Sequence, residues 1–414
     1  MDKCQIQRPL KISSSLVRRG YDRIRTREFE DVSKHLFSAQ GQPPSLQILQ
    51  QPAAIDSALD AHKHAPTDTR STLPYDEDLT KIDTSDKLSV GHDPSSSTWT
   101  FVEVVDADQL NTVLPHNKRR LMIRLQQEHS FARLSITEAL YNSLCAELQI
   151  FDALRDVLMH FGVRAREVEI APQRMRWQTL KDSSSSKDEA HRGWECAYCL
   201  RYLQPNHRSS GQPWSLRQFT VYNKVQLSDV RSTWLFVSAP EDVVGGINST
   251  LPEKEYDICL TDVETHCSIS MTTMAFWRSY VVYLSKVVEE YTGKVSFANP
   301  AGCHIIDVAK EGMLVQLKHI DDDIVDAVLA LEVNIDQMKS LLMMWKRCGV
   351  HVGTKDDSSS VTPTMHEVML DVEAILRQLR SLRDKVATCT FLASRFAELG
   401  SGTSLKENGE DLCK

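Results

Sequence analysis

The spacing of apolar and polar positions changes several times along the chain, and each change predicts a different kind of element. Residues 41–97 carry Gln, Pro, Ser, Asp and His without a sustained apolar period. They read as a disordered linker behind a basic tail, with ordered structure expected near Thr98. Thr98–Val105 is aromatic and β-branched and predicts a strand. Asp106 can cap a short helix to Leu114, Pro115 and Asn117 mark a turn, and Arg120–Gln126 predicts a second strand. This strand–helix–strand unit opens an α/β domain. Ser135-Ile136-Thr137-Glu138 has the form of a capping box, starting a helix that runs to about Leu148. A second helix, Phe151–Phe161, stops at Gly162. Trp194–Leu203, Trp214–Val225 and Thr233–Ser238 alternate and are aromatic-rich, which predicts an antiparallel meander.

From Ile269 the period becomes helical. Phe276, Trp277, Tyr280, Val281, Leu284, Val287, Val288 and Tyr291 recur at steps of three and four, giving an amphipathic helix ended by Gly293. Further on, Leu317, Ile324, Leu331, Met338 and Trp345 fall on a seven-residue line. Met365, Val368, Val372, Ile375, Leu379, Leu382, Val386, Cys389, Ala393 and Phe396 then form an unbroken heptad pattern. Thr362 and Pro363 start this last helix and Gly400 ends it. Two antiparallel helices of roughly 30 residues, each about 45 Å long, are expected. The fold class is therefore α+β: an α/β domain with a mixed or antiparallel sheet and flanking helices, then long antiparallel helices. The expected divisions are 1–97, basic then polar and largely disordered; 98–245, the α/β domain; 246–400, the long-helix region; and 401–414, a disordered tail.

Composition narrows the functions open to this architecture. The 414 residues are 41% hydrophobic and 25% charged, with 48 Lys+Arg against 56 Asp+Glu and a formal charge of -8. That balance argues against a nucleic-acid binder working through bulk positive charge. No run of about 18 uncharged apolar residues occurs, so no ordinary transmembrane helix is expected. The first 30 residues lack an apolar leader, so a cytoplasmic location with ten reduced cysteines is expected. Residues 1–40 hold nine Lys/Arg against five Asp/Glu, a solvated tail that could also touch an anionic membrane surface.

Motifs for chemistry are sparse. Cys196-Ala197-Tyr198-Cys199 suggests zinc or a redox dithiol, with His191 and His207 nearby. Positions i and i+3 of a strand point to opposite faces, so both thiolates cannot reach one metal. Asp321-Asp322-Asp323 could hold a hard cation through carboxylate oxygens, or sit solvated on a long helix. Arg201, Arg217 and Gln218 on the meander are ion-pair anchors or ligand contacts. No Walker loop, dinucleotide fingerprint, nucleophile elbow or zincin helix occurs, and no catalytic residue or enzyme activity is expected. The exposed side of the heptad seam at Leu379, Leu382 and Val386 is expected to find a partner, in the hairpin or in another chain.

The order of these segments resembles the fungal CorA-like transporter-domain proteins, relatives of the CorA magnesium channels. The resemblance rests on the Leu134–Gly162 helix pair ending in Phe161-Gly162, the paired strands with Arg217, Gln218, Val221 and Tyr222, and the following strand Thr233–Ser238. It implies a funnel domain of sheet and long helices, homo-oligomers, Mg²⁺ as a cation, and two membrane helices near the C-terminus, the first ending in a Gly-Met-Asn signature. The sequence departs from the pattern at that signature, where Gly312-Met313-Leu314 is only a near match. Without spanning segments no pore is built. The expected role is a regulatory or scaffolding module acting through helical association, with a homo-oligomer or a CorA-like chain as partner. A Mg²⁺ sensor or channel accessory, and a peripheral membrane protein held by the basic tail, are the alternatives.

Overall fold

Trp194, Cys196, Tyr198 and Leu200 point to one face of their strand, while Ala197 and Cys199 point to the other, and all six are buried. A strand buried on both faces must lie inside a sheet covered on both sides. In the computed structural model the described residues are 29–30, 32–38, 46–50, 100–114, 119–129, 132–162, 174–180, 193–206, 212–250, 258–296, 311–350 and 361–411. Among them the strands are β1 (Leu46–Gln50), β2 (Thr100–Val104), β3 (Arg120–Leu125), β4 (Arg176–Thr179), β5 (Gly193–Pro205), β6 (Trp214–Gln226) and β7 (Arg231–Val237). They form one seven-stranded sheet in the order β2-β1-β3-β7-β6-β5-β4. Neighbours are antiparallel except β3 and β7, which run parallel with Ile123 opposite Leu235. The meander β5-β6-β7 is the predicted one.

Helices α1 (Ala107–Val113), α2 (Glu138–Glu147) and α3 (Leu154–Leu158) are short. Helices α4 (Glu241–Thr250), α5 (Ile258–Met274), α6 (Trp277–Ser296), α7 (Glu311–Arg347) and α8 (Val361–Asp411) follow the sheet in sequence. One core lies between the sheet and the helices from α4 onward, centred on Trp194, Trp234, Trp277 and Trp345. The second lies on the opposite face, where α2 and α3 contribute Tyr141, Leu144 and Leu154. Each face of the sheet thus has its own cover, so even polar residues of the central strands, such as Glu195, Gln218, Asn223 and Ser232, are buried.

The amino-terminal expectation needs correction. Residues 1–97 are not uniformly outside the fold: β1 lies between β2 and β3 and pairs antiparallel with both. Leu46, Ile48 and Leu49 are buried, as are Phe29, Leu36 and Phe37. Phe37 packs against Tyr141 at 5.1 Å, and Leu134 N–H donates to the Leu36 carbonyl at 2.7 Å. A five-residue strand flanked by polar sequence is too short to declare a period, so it escaped a reading based on patterning. Three further elements carried no expectation: β4, α4 and α5. The last of these buries Thr261, Asp262, Thr265, His266, Ser270 and Thr273 beside its apolar residues, which hides its amphipathic stripe.

Element boundaries also differ. The cap of α2 is Thr137, whose side chain accepts from Leu140 N–H, while Ser135 N–H donates to the Gln126 carbonyl. Gly293 lies inside α6, and α8 continues through Gly400 to Asp411, so residues 401–411 are helical. One interior glycine costs a helix only about 1 kcal/mol, too little to end one that is held by packing. The helix expected over Phe151–Phe161 is shorter: α3 ends at Leu158 with Met159 as its cap, and Gly162, at φ +113, lies beyond it. A Cβ there would come 2.9 Å from the His35 carbonyl oxygen, so this glycine also lets the amino-terminal segment dock.

Candidate functional site

The acidic run lies on α7. Successive helical residues are turned by about 100°, so three in a row cannot share one face. Asp321 pairs with Arg383 of α8 at 3.3 Å and with Lys318 at 3.7 Å. Asp322 pairs with Lys318 at 2.6 Å. Asp323 accepts from the side chain of Gln212. Burial raises the Asp323 carboxyl to about 6, the Gln212 bond opposes this, and Asp326 and Asp322 add to it. Asp321 and Asp322 thus share Lys318, while Asp323 turns to Gln212. Among the described residues no group of three or more His, Cys, Asp or Glu is placed to hold a metal ion.

The seam residues Leu379, Leu382 and Val386 are all buried, at 0%, 4% and 1% exposure. Their partners are the helices of their own chain, because α8 packs along α7, α6 and α5. This corrects the expectation of an exposed side at these positions. Arg380–Glu332 and Arg383–Asp321 bridges then tie α8 to α7 along the rim of the seam. The outward side of α8 has another character. Leu370, Phe391 and Leu392 are 63%, 60% and 39% exposed, while every other Val, Ile and Leu from Val372 to Leu392 is buried. Beside Leu392, a groove of about 350 Å³ runs between α6 and α8, lined by Val295, Lys385, Thr388 and Cys389 among others. The basic tail is outside the described residues up to position 28.

The remaining candidates are structural in their contacts. Cys196 belongs to the core under the long helices and Cys199 to the core on the other face, so strand alternation separates the two sulfurs. Asn334 of α7 clamps Arg201 through its backbone, accepting from its N–H at 2.9 Å and donating to its carbonyl at 2.7 Å. Gln218 donates to the His160 carbonyl at 2.7 Å, tying β6 to the end of the α3 segment.

No motif pointed to the most unusual polar cluster. Asp262 of α5 has no exposed surface; its carboxylate accepts from Asn223 Nδ2 at 2.9 Å and from the Ser232 hydroxyl. Arg120 of β3 is the nearest cation, at 3.9 Å. One turn on, His266 Nδ1 is 2.7 Å from the Tyr198 hydroxyl and Nε2 is 3.3 Å from Asn223 Oδ1. Asn223 Oδ1 also accepts from Trp194 Nε1 at 2.9 Å. Burial lifts Asp262 to about 6 and drops His266 to about 3, which keeps the imidazole neutral. A second buried carboxylate, Glu195, accepts from Phe151 N–H, Gln178 and the Tyr222 hydroxyl, fixing the α2–α3 turn to the sheet. Both clusters join elements and offer no reacting group to solvent. Only the Asp-x-x-x-His spacing on a helix, which places both side chains on one face, could have flagged the first.

Among the described residues no helix is long and apolar enough to cross a membrane. No curated protein matches the chain. Among solved structures, the complete CorA magnesium transporter from Methanocaldococcus jannaschii is similar, with a TM-score of 0.43, 10% identity, and coverage of 76% of this chain and 79% of that one. The cytoplasmic domain of ZntB from Vibrio parahaemolyticus has a TM-score of 0.41 and 10% identity, covering 73% of this chain and 94% of that one. The full-length CmaX protein has a TM-score of 0.43 and 11% identity, covering 75% and 77%. The family described as CorA-like transporters matches residues 46–296, from the first residue of β1 to the last residue of α6. That span is more than half of the chain, and the chain belongs to the CorA-like transporter family.

Proposed function

We propose that this chain is a non-enzymatic member of its family that acts by helical association, as a regulatory or scaffolding module for a second copy or another CorA-like chain. The observation that carries this reading is the outward face of α8. The helix has buried its heptad seam within the chain, yet keeps Leu370, Phe391 and Leu392 in solvent. Large apolar residues left in solvent on one long helix favour a protein contact. Neither buried polar cluster presents a nucleophile with its base, so the reading needs no chemistry from them.

Cation sensing is a second reading, favoured by Asp323. Burial raises its carboxyl, and the nearby Asp326 and Asp322 add to the shift, so a divalent cation bound beside it would offset that smaller like-charge part. One experiment separates the two: light scattering after size exclusion, in EDTA and in millimolar Mg²⁺, over a wide concentration range. Association alone predicts a mass above one chain in both buffers. Cation sensing predicts a mass that changes with Mg²⁺. A single-chain mass throughout sinks both.

A further inference from the structure

We propose that Arg124 and Arg217 form a binding site for a phosphate-type oxyanion, free or as the head of a phosphomonoester, and that the Glu241 carboxylate covers this site until the ligand arrives.

Strand alternation brings the two arginines to one face of the sheet. Arg124 of β3 lies between Ile123 and Leu125, which face the core of α2 and α3, so its side chain takes the opposite face. Gln218 of β6 reaches the His160 carbonyl on the α3 side, so its neighbour Arg217 also takes the opposite face. Arg217 stands directly across from Tyr202 of β5, whose ring belongs to the core under the long helices. The Tyr202 hydroxyl feels both cations. Burial raises its pKa, while the Arg217 guanidinium, which hydrogen-bonds it, and the charge of Arg124 hold the rise back. Arg124 meanwhile reaches Ala239 and Glu241, just past the end of β7. The two guanidiniums therefore converge beyond the carboxyl ends of the parallel strands β3 and β7. Sheets with helices on both faces hold their ligands at such ends.

Counter-charge is scarce at this place. Arg124 is only 8% exposed, and a buried cation needs a firm partner. Two of its partners are neutral: the Ala239 carbonyl at 3.3 Å and the Gln126 amide oxygen at 3.2 Å. Its carboxylate partner is Glu241 at 2.6 Å, whose side chain is 77% exposed. Arg217 has no ion pair among the described residues, and its Nε is buried without a hydrogen bond. Glu241 is the first residue of α4, and its carboxylate can swing into solvent at small cost. It pairs with Arg124 and does not extend to Arg217. A tetrahedral oxyanion presents oxygens on several sides, so it can accept from Arg124, Arg217 and the Tyr202 hydroxyl together. Bound there, it joins β3, β5 and β6 at the start of α4.

The test is equilibrium dialysis of the full chain against radiolabelled inorganic phosphate, at an ionic strength held constant with chloride. The wild-type chain should take up phosphate saturably in the millimolar range. Arg217→Gln should weaken that uptake by about tenfold or more, because a charge-assisted bond is lost. Glu241→Gln should tighten it by about tenfold, because a tethered competitor is gone. A Glu241 that merely holds Arg124 in place would give no such gain. Unlabelled acetate should displace little phosphate; displacement as strong as by unlabelled phosphate overturns the assignment to a tetrahedral oxyanion. Glycerol 3-phosphate as competitor separates the two sources: stronger displacement than by phosphate assigns an ester head, and weaker displacement assigns the free ion. Near-ultraviolet circular dichroism checks the fold of each variant. Should Arg217→Gln fail to fold, the exposed Glu241→Gln substitution carries the test alone, and the absence of a gain there overturns the site. Uptake that never saturates in either the wild type or Glu241→Gln also overturns it.

Discussion

Asp262 is a carboxylate with no water contact and a single guanidinium 3.9 Å away, and its titration has a definite sign. Burial raises its folded pKa from 3.8 to about 6. Between about pH 4 and 6 the folded chain keeps a proton that the unfolded chain has released, so stability falls as pH rises through that window. His266, one turn away and lowered from 6.5 to about 3, acts in the opposite direction: stability falls as pH drops below its unfolded value. The two slopes overlap and largely cancel between pH 4 and 6. Asp262→Asn keeps an acceptor for Asn223 and Ser232 and removes only one slope. The variant should therefore gain stability steeply from pH 4 to 6.5 and exceed the wild type at pH 7.5, by on the order of 3 kcal/mol. Guanidinium unfolding at a series of pH values measures this, and equal slopes in the two proteins would refute it. None of this was legible beforehand. A lone Asp and a lone His become a cluster only when β3, β5, β6 and β7 bring Arg120, Tyr198, Asn223 and Ser232 beneath one helix.

At the scale of elements, the long-period patterns were legible and the short ones were not. The meander, α6, α7 and α8 announce themselves because their apolar residues recur over many positions. β1 has five residues, and α5 mixes buried Thr and Ser into its core face. Glycine was read too literally as punctuation, and two substitutions make the distinction measurable. Gly193 opens β5 at φ +143, and a Cβ there would lie 1.8 Å from the Val225 carbonyl oxygen. Gly193→Ala should force β5 away from β6 and cost on the order of 3 kcal/mol. Gly293, inside α6, has nothing within 4 Å of a built Cβ. Gly293→Ala should stabilise by about 0.5–1 kcal/mol. Thermal unfolding of both variants would show shifts of opposite sign; a matching loss in both would mean that Gly293 is held by a contact. The acidic run illustrates the same limit. Adjacent Asp residues suggested one site, but helical rotation sends them to Arg383, Lys318 and Gln212.

For the whole molecule, the boundary chosen from composition cuts through the sheet. A chain beginning at residue 98 would lack β1 and leave β2 separated from β3. It should be poorly soluble or lose its near-ultraviolet dichroism, whereas a chain beginning just before Phe29 should keep both. Loss in neither case would mean that β1 is dispensable. The parallel pairing of β3 with β7 carries a different consequence, one of timing. Met122 must wait for Trp234, more than a hundred residues later, before its neighbouring strand exists. During synthesis the half-sheet of β1, β2 and β3 leaves the ribosome with an unpaired edge, while β5, β6 and β7 need only local turns to assemble. Long-range closure of this kind is slow. We predict that the meander forms first and the amino-terminal half, first to be made, is secured last; pulse-labelled hydrogen exchange showing β1 and β3 protected before β5 and β6 would overturn this order.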